Sequence, residues 1–150
     1  MKLRRTAALL CGIMAFGSSV SFAAVAGDQI AIGRVTPGMS TADLISIYGD
    51  PSEKHGDEWY YPNFHVEMDR KDAPTKVEEV SSMDASMATP SGIQIGRDFM
   101  DLNFAYGKAD HVIKRGDVEE YEYFSTDYTK KLKFTVVNSV ITKIKCELVD

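Results

Sequence analysis

The sequence predicts an α+β fold built from two tandem units, each a short helix followed by three antiparallel strands. Two observations predict it. The stretch Gly38-Met-Ser-Thr-Ala-Asp-Leu-Ile-Ser-Ile-Tyr-Gly49 returns 58 residues later as Gly96-Arg-Asp-Phe-Met-Asp-Leu-Asn-Phe-Ala-Tyr-Gly107, with Gly38/Gly96, Asp43/Asp101, Leu44/Leu102, Tyr48/Tyr106 and Gly49/Gly107 identical. A self-match at fixed offset marks one supersecondary unit used twice. After each copy, apolar and polar residues alternate with period two, the pattern of strands with one buried face.

The segment before the first unit is read as a signal peptide, residues 1–26. Lys2, Arg4 and Arg5 form a basic start, Thr6 to Phe16 is uncharged and apolar, and small residues from Ser18 to Ala26 offer cleavage after Ala23 or after Ala26. The apolar run is too short and too interrupted by Gly12, Gly17, Ser18 and Ser19 for a span of roughly 20 residues. No integral span is therefore expected after cleavage, and the protein is expected to be exported, periplasmic or extracellular. Cys11 would leave with the leader, so Cys146 would be the only thiol, without a disulfide partner.

The first unit covers residues 27–90. Thr36-Pro37-Gly38 is turn chemistry, Ser40 is a helix N-cap type, and Thr41, Leu44, Ile45 and Tyr48 form one helical stripe. Gly49 then supplies the left-handed residue past the helix end, and Pro51 prevents continuation. Strands are expected at Glu58–Tyr61, Phe64–Met68 and Lys76–Val80, followed by a linker over 81–92 rich in Ser, Met and Gly. The second unit, 91–150, repeats the order: Gly96, Asp98 as cap, Phe99, Leu102 and Tyr106 as stripe, Gly107 as stop. Its strands are expected at Tyr121–Phe124, Lys131–Val137 and Val140–Leu148, with Asn138-Ser139 as a hairpin turn. Helices of two to three turns are unstable alone and must dock on one face of their strands, leaving the other face to solvent.

The motif Gly-Met-Ser-x3-Leu-x3-Tyr-Gly-x-Pro, Gly38 to Pro51, followed by an aromatic strand and hairpin, resembles the repeat of β-lactamase inhibitory proteins. A single copy of a similar unit occurs in the small lipoprotein of the bacterial outer-membrane barrel-assembly machine. The resemblance spans Gly33 to Glu147; the second copy departs from it at Arg97 and Ala109, where the first has Met39 and Pro51. It implies two units sharing one continuous antiparallel sheet, helices on one face, with an open face able to bind proteins. It also places Trp59 and Tyr61 against the helices, which leaves Tyr60 and Phe124 on the open face.

Charge narrows the partner. Loss of Lys2, Arg4 and Arg5 leaves 14 basic against 22 acidic residues, a net charge of −8. Nucleic acids and anionic membrane surfaces require basic footprints, so neither is expected. Residues 27–90 hold 5 basic and 12 acidic groups, whereas 91–150 hold 9 and 10. The open face is accordingly expected to be bipolar, with Glu58, His65, Glu67, Asp69 and Glu79 at one end and Lys131, Lys133, Lys143 and Lys145, with Glu120 and Glu122, at the other. The lysines either protect sheet edges from self-pairing or orient another protein by charge.

Chemistry is not advertised. His55, His65 and His111 have no metal-ligand spacing, and no nucleophile elbow or phosphate loop occurs. Met83 and Met87 would pair as soft ligands only in a helical linker. No cofactor, metal or catalytic residue is expected. The reading is a non-catalytic, exported protein-binding module, hydrolase-inhibitor-like in its most concrete form. The alternative is a structural component of cell-envelope assembly or maintenance.

Overall fold

A computed structural model describes residues 24–150. Of the segment expected to be a signal peptide, 1–26, residues 1–23 lie outside the described residues. The expected arrangement of helix-plus-three-strand units is not what forms. The described chain is one eight-stranded antiparallel sheet, with two short helices: α1 (Thr41–Tyr48), β1 (Glu53–His55), β2 (Glu58–Tyr60), β3 (His65–Met68), β4 (Val77–Ser82), α2 (Met100–Tyr106), β5 (His111–Arg115), β6 (Val118–Phe124), β7 (Lys130–Val137) and β8 (Val140–Leu148). The strand order is β1-β2-β3-β4-β8-β7-β6-β5. The sheet therefore dominates, and four strands follow each helix.

The two unforeseen strands are the edges, β1 and β5. Both are short, and their charged residues Glu53, Lys54, Lys114 and Arg115 hide the alternation that marks a half-buried strand. Charged, short edges are how sheets discourage pairing with a further chain. Each edge joins its neighbour through a two-residue Gly-Asp turn, Gly56-Asp57 and Gly116-Asp117, with φ of 69° and 62° at the glycines. Gly-Asp between two runs is a hairpin signal in its own right. Asn138 and Ser139, both at positive φ, close β7 onto β8 as the sequence suggests.

The helices end differently from expectation. Ser40 caps α1, its hydroxyl oxygen accepting from Asp43 N–H at 3.1 Å. Asp98 lies one residue further out and accepts from Met100 N–H at 2.8 Å. Gly49 and Gly107 have positive φ (77° and 72°), but ψ is −167° and −154°. This is an extended region almost reserved for glycine, and not the left-handed helical one. Their carbonyls accept from the hydroxyls of Tyr61 (3.1 Å) and Tyr123 (3.4 Å), which tie each helix end to the sheet.

One core runs the length of the sheet. Trp59, Val66, Val80, Cys146, Leu132 and Tyr123 stand opposite one another across six strands, all buried. Leu44, Leu102 and Tyr106 from the helices join the same cluster. Cys146 sits at the seam between β4 and β8, fully buried, where it fills space in the core; its burial pushes the thiol far above its ordinary value. The expected linker, 81–92, overlaps the end of β4 and is partly buried. Ser81 and Ser82 extend β4, Met87 and Thr89 are buried, and Thr89 Oγ1 accepts from the Tyr106 hydroxyl at 2.6 Å.

Candidate functional site on the open sheet face

Register decides which candidate residues meet. Directly paired residues in an antiparallel sheet point to the same face, so two rows can be followed across the open side. The first runs Tyr60, His65, Ser81, Lys145, Lys133, Glu122, His111. The second runs Glu58, Glu67, Glu79, Glu147, Lys131, Phe124. Lys143 stands in the next row, opposite Thr135. The sheet thus collects eight of the nine candidate binding residues on one face.

Asp69 is the exception. It lies past the end of β3, where its carboxylate accepts from Thr75 N–H (2.7 Å), Thr75 Oγ1 (2.6 Å) and Lys76 N–H (3.2 Å). Those bonds, led by the Thr75 hydroxyl, hold its carboxyl well below the usual range. Asp69 fixes the β3–β4 turn and presents nothing to a partner.

The expected bipolar charge is largely consumed inside the face. Glu147 is the hub, with Lys131 at 2.9 Å, Lys145 at 3.0 Å and Lys133 at 3.3 Å. Lys145 also meets Glu79 at 2.5 Å, Lys133 meets Glu122 at 3.5 Å, and His111 meets Glu122 at 3.3 Å. The side chains of the three lysines are only 20–27 % exposed. They form a nearly neutral lattice at the centre of the sheet. Lys143 makes no ion pair among the described residues. Glu147 was legible in principle, because it shares the parity of Lys143 and Lys145 along one strand.

Two aromatic clusters flank the lattice. At one end Tyr60 lies between His55 and His65, ring centroids 5.6 and 4.6 Å away, and its hydroxyl donates to Glu58 at 2.8 Å. At the other, Phe124 packs on His111 (5.6 Å) and Tyr128 (5.9 Å), with Lys131 Nζ 5.7 Å from its centroid. The part played by His55, His111 and Tyr128 was not visible in the sequence, since the two histidines lie on the edge strands, which carry no alternation, and Tyr128 lies in the turn after β6.

The Tyr60 end holds the least satisfied group. His65 Nε2 is sealed from solvent and has no hydrogen-bond partner, the one such side-chain atom among the described residues. Leaving a buried polar atom unpaired costs about 1–3 kcal/mol, and such a defect calls for an explanation. Beside it lies an open groove of about 410 Å³ lined by Tyr60, Asn63, His65, Met83 and Lys143. Met83 is 71 % exposed there.

The second row carries four glutamates side by side, Glu58, Glu67, Glu79 and Glu147. Burial, then the Glu79 charge, raises the Glu67 pKa. Burial would raise Glu147 too, but hydrogen bonds from Lys131 and Lys145 outweigh it and bring its carboxyl down to about 2. Asp127, bonded by Ser125 and Thr129, also falls to about 2. A carboxyl whose pKa drops on folding adds stability that is complete above its unfolded value, near 4.5 for Glu, and is lost as pH falls through the folded value. Stability is therefore expected to decline between about pH 5 and pH 2, of order 1–2 kcal/mol from Glu147 after solvent screening. Glu67 acts with the opposite sign, gaining on protonation. Urea denaturation at pH 7, 4 and 2.5 checks this, and Glu67→Gln should raise the midpoint at pH 7 while narrowing the Glu67 contribution at pH 4.

Among the described residues no three or more His, Cys, Asp or Glu converge as metal ligands, and no helix is long and apolar enough to cross a membrane. One apolar surface lies on the other side of the molecule. Phe104 is 87 % and Met100 49 % exposed on α2, where α1 carries Ser46 and Ala42 at the matching positions.

Comparison of the sequence with protein-family models and with curated proteins gives no match. Among solved structures, the fold is similar to a DUF4309 family protein from Bacillus subtilis, 12 % identical, TM-score 0.51, covering 73 % of this chain and 78 % of that one. At this identity the likeness shows the fold alone. An extracellular protein containing a SCP domain from Bacillus anthracis is 13 % identical over 74 % of this chain, with TM-score 0.46; the chain spans 43 % of its length.

Proposed function

We propose that this chain is an exported, non-catalytic protein-binding module that docks its partner on the open sheet face. The observation that carries this reading is the Tyr60–His65 end of the face: the Tyr60 ring set tilted against His65, whose Nε2 is buried and unpaired, beside an open groove with Lys143. His65 Nε2 is sealed in the isolated fold, so a partner group can hydrogen-bond it only after the side chains covering it shift; a bond formed there would remove a cost the isolated fold bears. Phe124 supplies a second apolar anchor across the neutral lattice, and Tyr- and Phe-centred anchors are typical of interface centres. The resemblance to β-lactamase inhibitory proteins makes a hydrolase the first partner to test, on fold analogy.

The experiment is capture of envelope and culture-fluid proteins on the immobilised exported protein, followed by titration of the retained partner. Tyr60→Ala and Phe124→Ala are expected to weaken binding at least about tenfold while the melting temperature barely moves. His65→Phe should weaken binding and leave stability equal or higher, because it deletes the orphan nitrogen. Lys143→Glu should mainly slow association and change its salt dependence. Capture that survives Tyr60→Ala and Phe124→Ala unchanged would place the binding surface elsewhere.

A further inference from the structure

We infer that the chain is processed between Ala23 and Ala24, so that the exported protein begins at Ala24. The inference rests on the export reading above. Both small-residue sites, after Ala23 and after Ala26, satisfy the sequence grammar of a leader, and sequence alone leaves them equal.

The fold does not treat them as equal. Val25 is 6 % exposed and belongs to the core. Its N–H donates to Phe124 O at 3.4 Å, its carbonyl accepts from Thr126 N–H at 3.0 Å, and it forms a parallel bridge with Ser125. Ala26 O accepts from Gln29 N–H at 2.9 Å, starting the single 3-10 turn Gly27–Gln29. Cleavage after Ala26 removes a buried side chain, unpairs Thr126 N–H, and loosens the end of β6 that presents Phe124. Cleavage after Ala23 removes none of this.

The new terminus also falls where a positive charge is useful. Ala24 lines a groove of about 420 Å³ together with Asn103, Phe104, Ala105, Tyr106 and Gly107, the C-terminal end of α2. That helix has no basic residue in its last turn. A helix C-terminus carries partial negative charge and is stabilised by a cation within the last turn. Hydrolysis of the Ala23–Ala24 peptide bond breaks its C–N bond. Water supplies the oxygen that completes the Ala23 carboxylate, and the Ala24 amine is left protonated, as an ammonium, beside this end.

The test is expression of the full chain in an exporting bacterium, with intact mass and N-terminal sequence of the exported protein. An Ala24 start is the expected result, and a Gly27 start overturns the inference. An uncleaved Met1 form instead overturns the export reading beneath it. Ala23→Lys in the full chain blocks the first site and diverts processing to the second; its exported product should melt several degrees below wild type. Val25→Thr, which keeps the leader grammar, should retain the Ala24 start and also melt lower. Equal melting for wild type, the diverted product and Val25→Thr, together with a mixed Ala24 and Gly27 start, would show that the Val25 seat contributes nothing and would overturn the inference.

Discussion

Trp59→Ala is expected to cost about 3–5 kcal/mol of folding stability, against well under about 1 kcal/mol for Tyr60→Ala next to it. The indole is 4 % exposed, stands opposite Val66 in the row that continues to Val80 and Cys146, and is covered by Lys54, whose Nζ lies 3.9 Å from the ring centroid. Truncation leaves a cavity between sheet and helices that a rigid sheet closes only in part. Tyr60 faces the other way, onto two histidines and Glu58, so its loss is filled by water. Single domains have roughly 5–15 kcal/mol in all, so Trp59→Ala would remove at least about a fifth of that. Urea denaturation midpoints of the two variants give the comparison directly. Similar losses at both positions would mean that Tyr60 holds the fold and cannot be kept mainly for binding.

Gly49→Val and Gly107→Val are each expected to cost about 1–3 kcal/mol, with the β-branched side chain at the upper end. The cost is conformational. A Cβ at Gly49 would meet no heavy atom within 4 Å, so crowding does not contribute. What resists is the pairing of φ near +75° with extended ψ, which L-residues scarcely adopt. Relaxing that conformation would pull the Gly49 and Gly107 carbonyls away from the Tyr61 and Tyr123 hydroxyls and release the helix ends. Gly49→Ala and Gly107→Ala should show most of the same loss, since any Cβ meets the same restriction. Melting curves unchanged in the valine variants would refute a structural need for glycine at these ends.

Much of the sheet was legible because strand parity is local. Val66, Phe134 and Ile144 fall on the buried parity in the sequence and are buried in the fold. Tyr60 and Phe124 fall on the other parity and reach the open face. The edge strands were not legible by the same rule, because β1 and β5 bury almost nothing and so carry no alternation. Only the Gly-Asp turns announced them. Without those edges each unit was counted one strand short, and the weight of the fold was placed too far toward its helices.

The charged face shows where parity stops. Alternation put Lys131, Lys133 and Lys145 on the open side, but whether they meet solvent or carboxylates depends on strands far away in the chain. The strand order sets β4 beside β8, and register sets Glu79 opposite Glu147 and Glu122 opposite Lys133. Those pairings turn much of an expected bipolar face into a lattice of ion pairs. They also leave His65 Nε2 without a partner, a defect that no residue count reveals.

By itself the sequence determined the doubled helix motif and the face taken by residues of the six inner strands, because turn chemistry and side-chain period act within a few residues. Only the tertiary structure decided which charges cancel, that Asp69 braces a turn, and that Val25 belongs to the core. Each of these depends on contacts between segments distant in the chain, and local residue type does not encode which segment arrives.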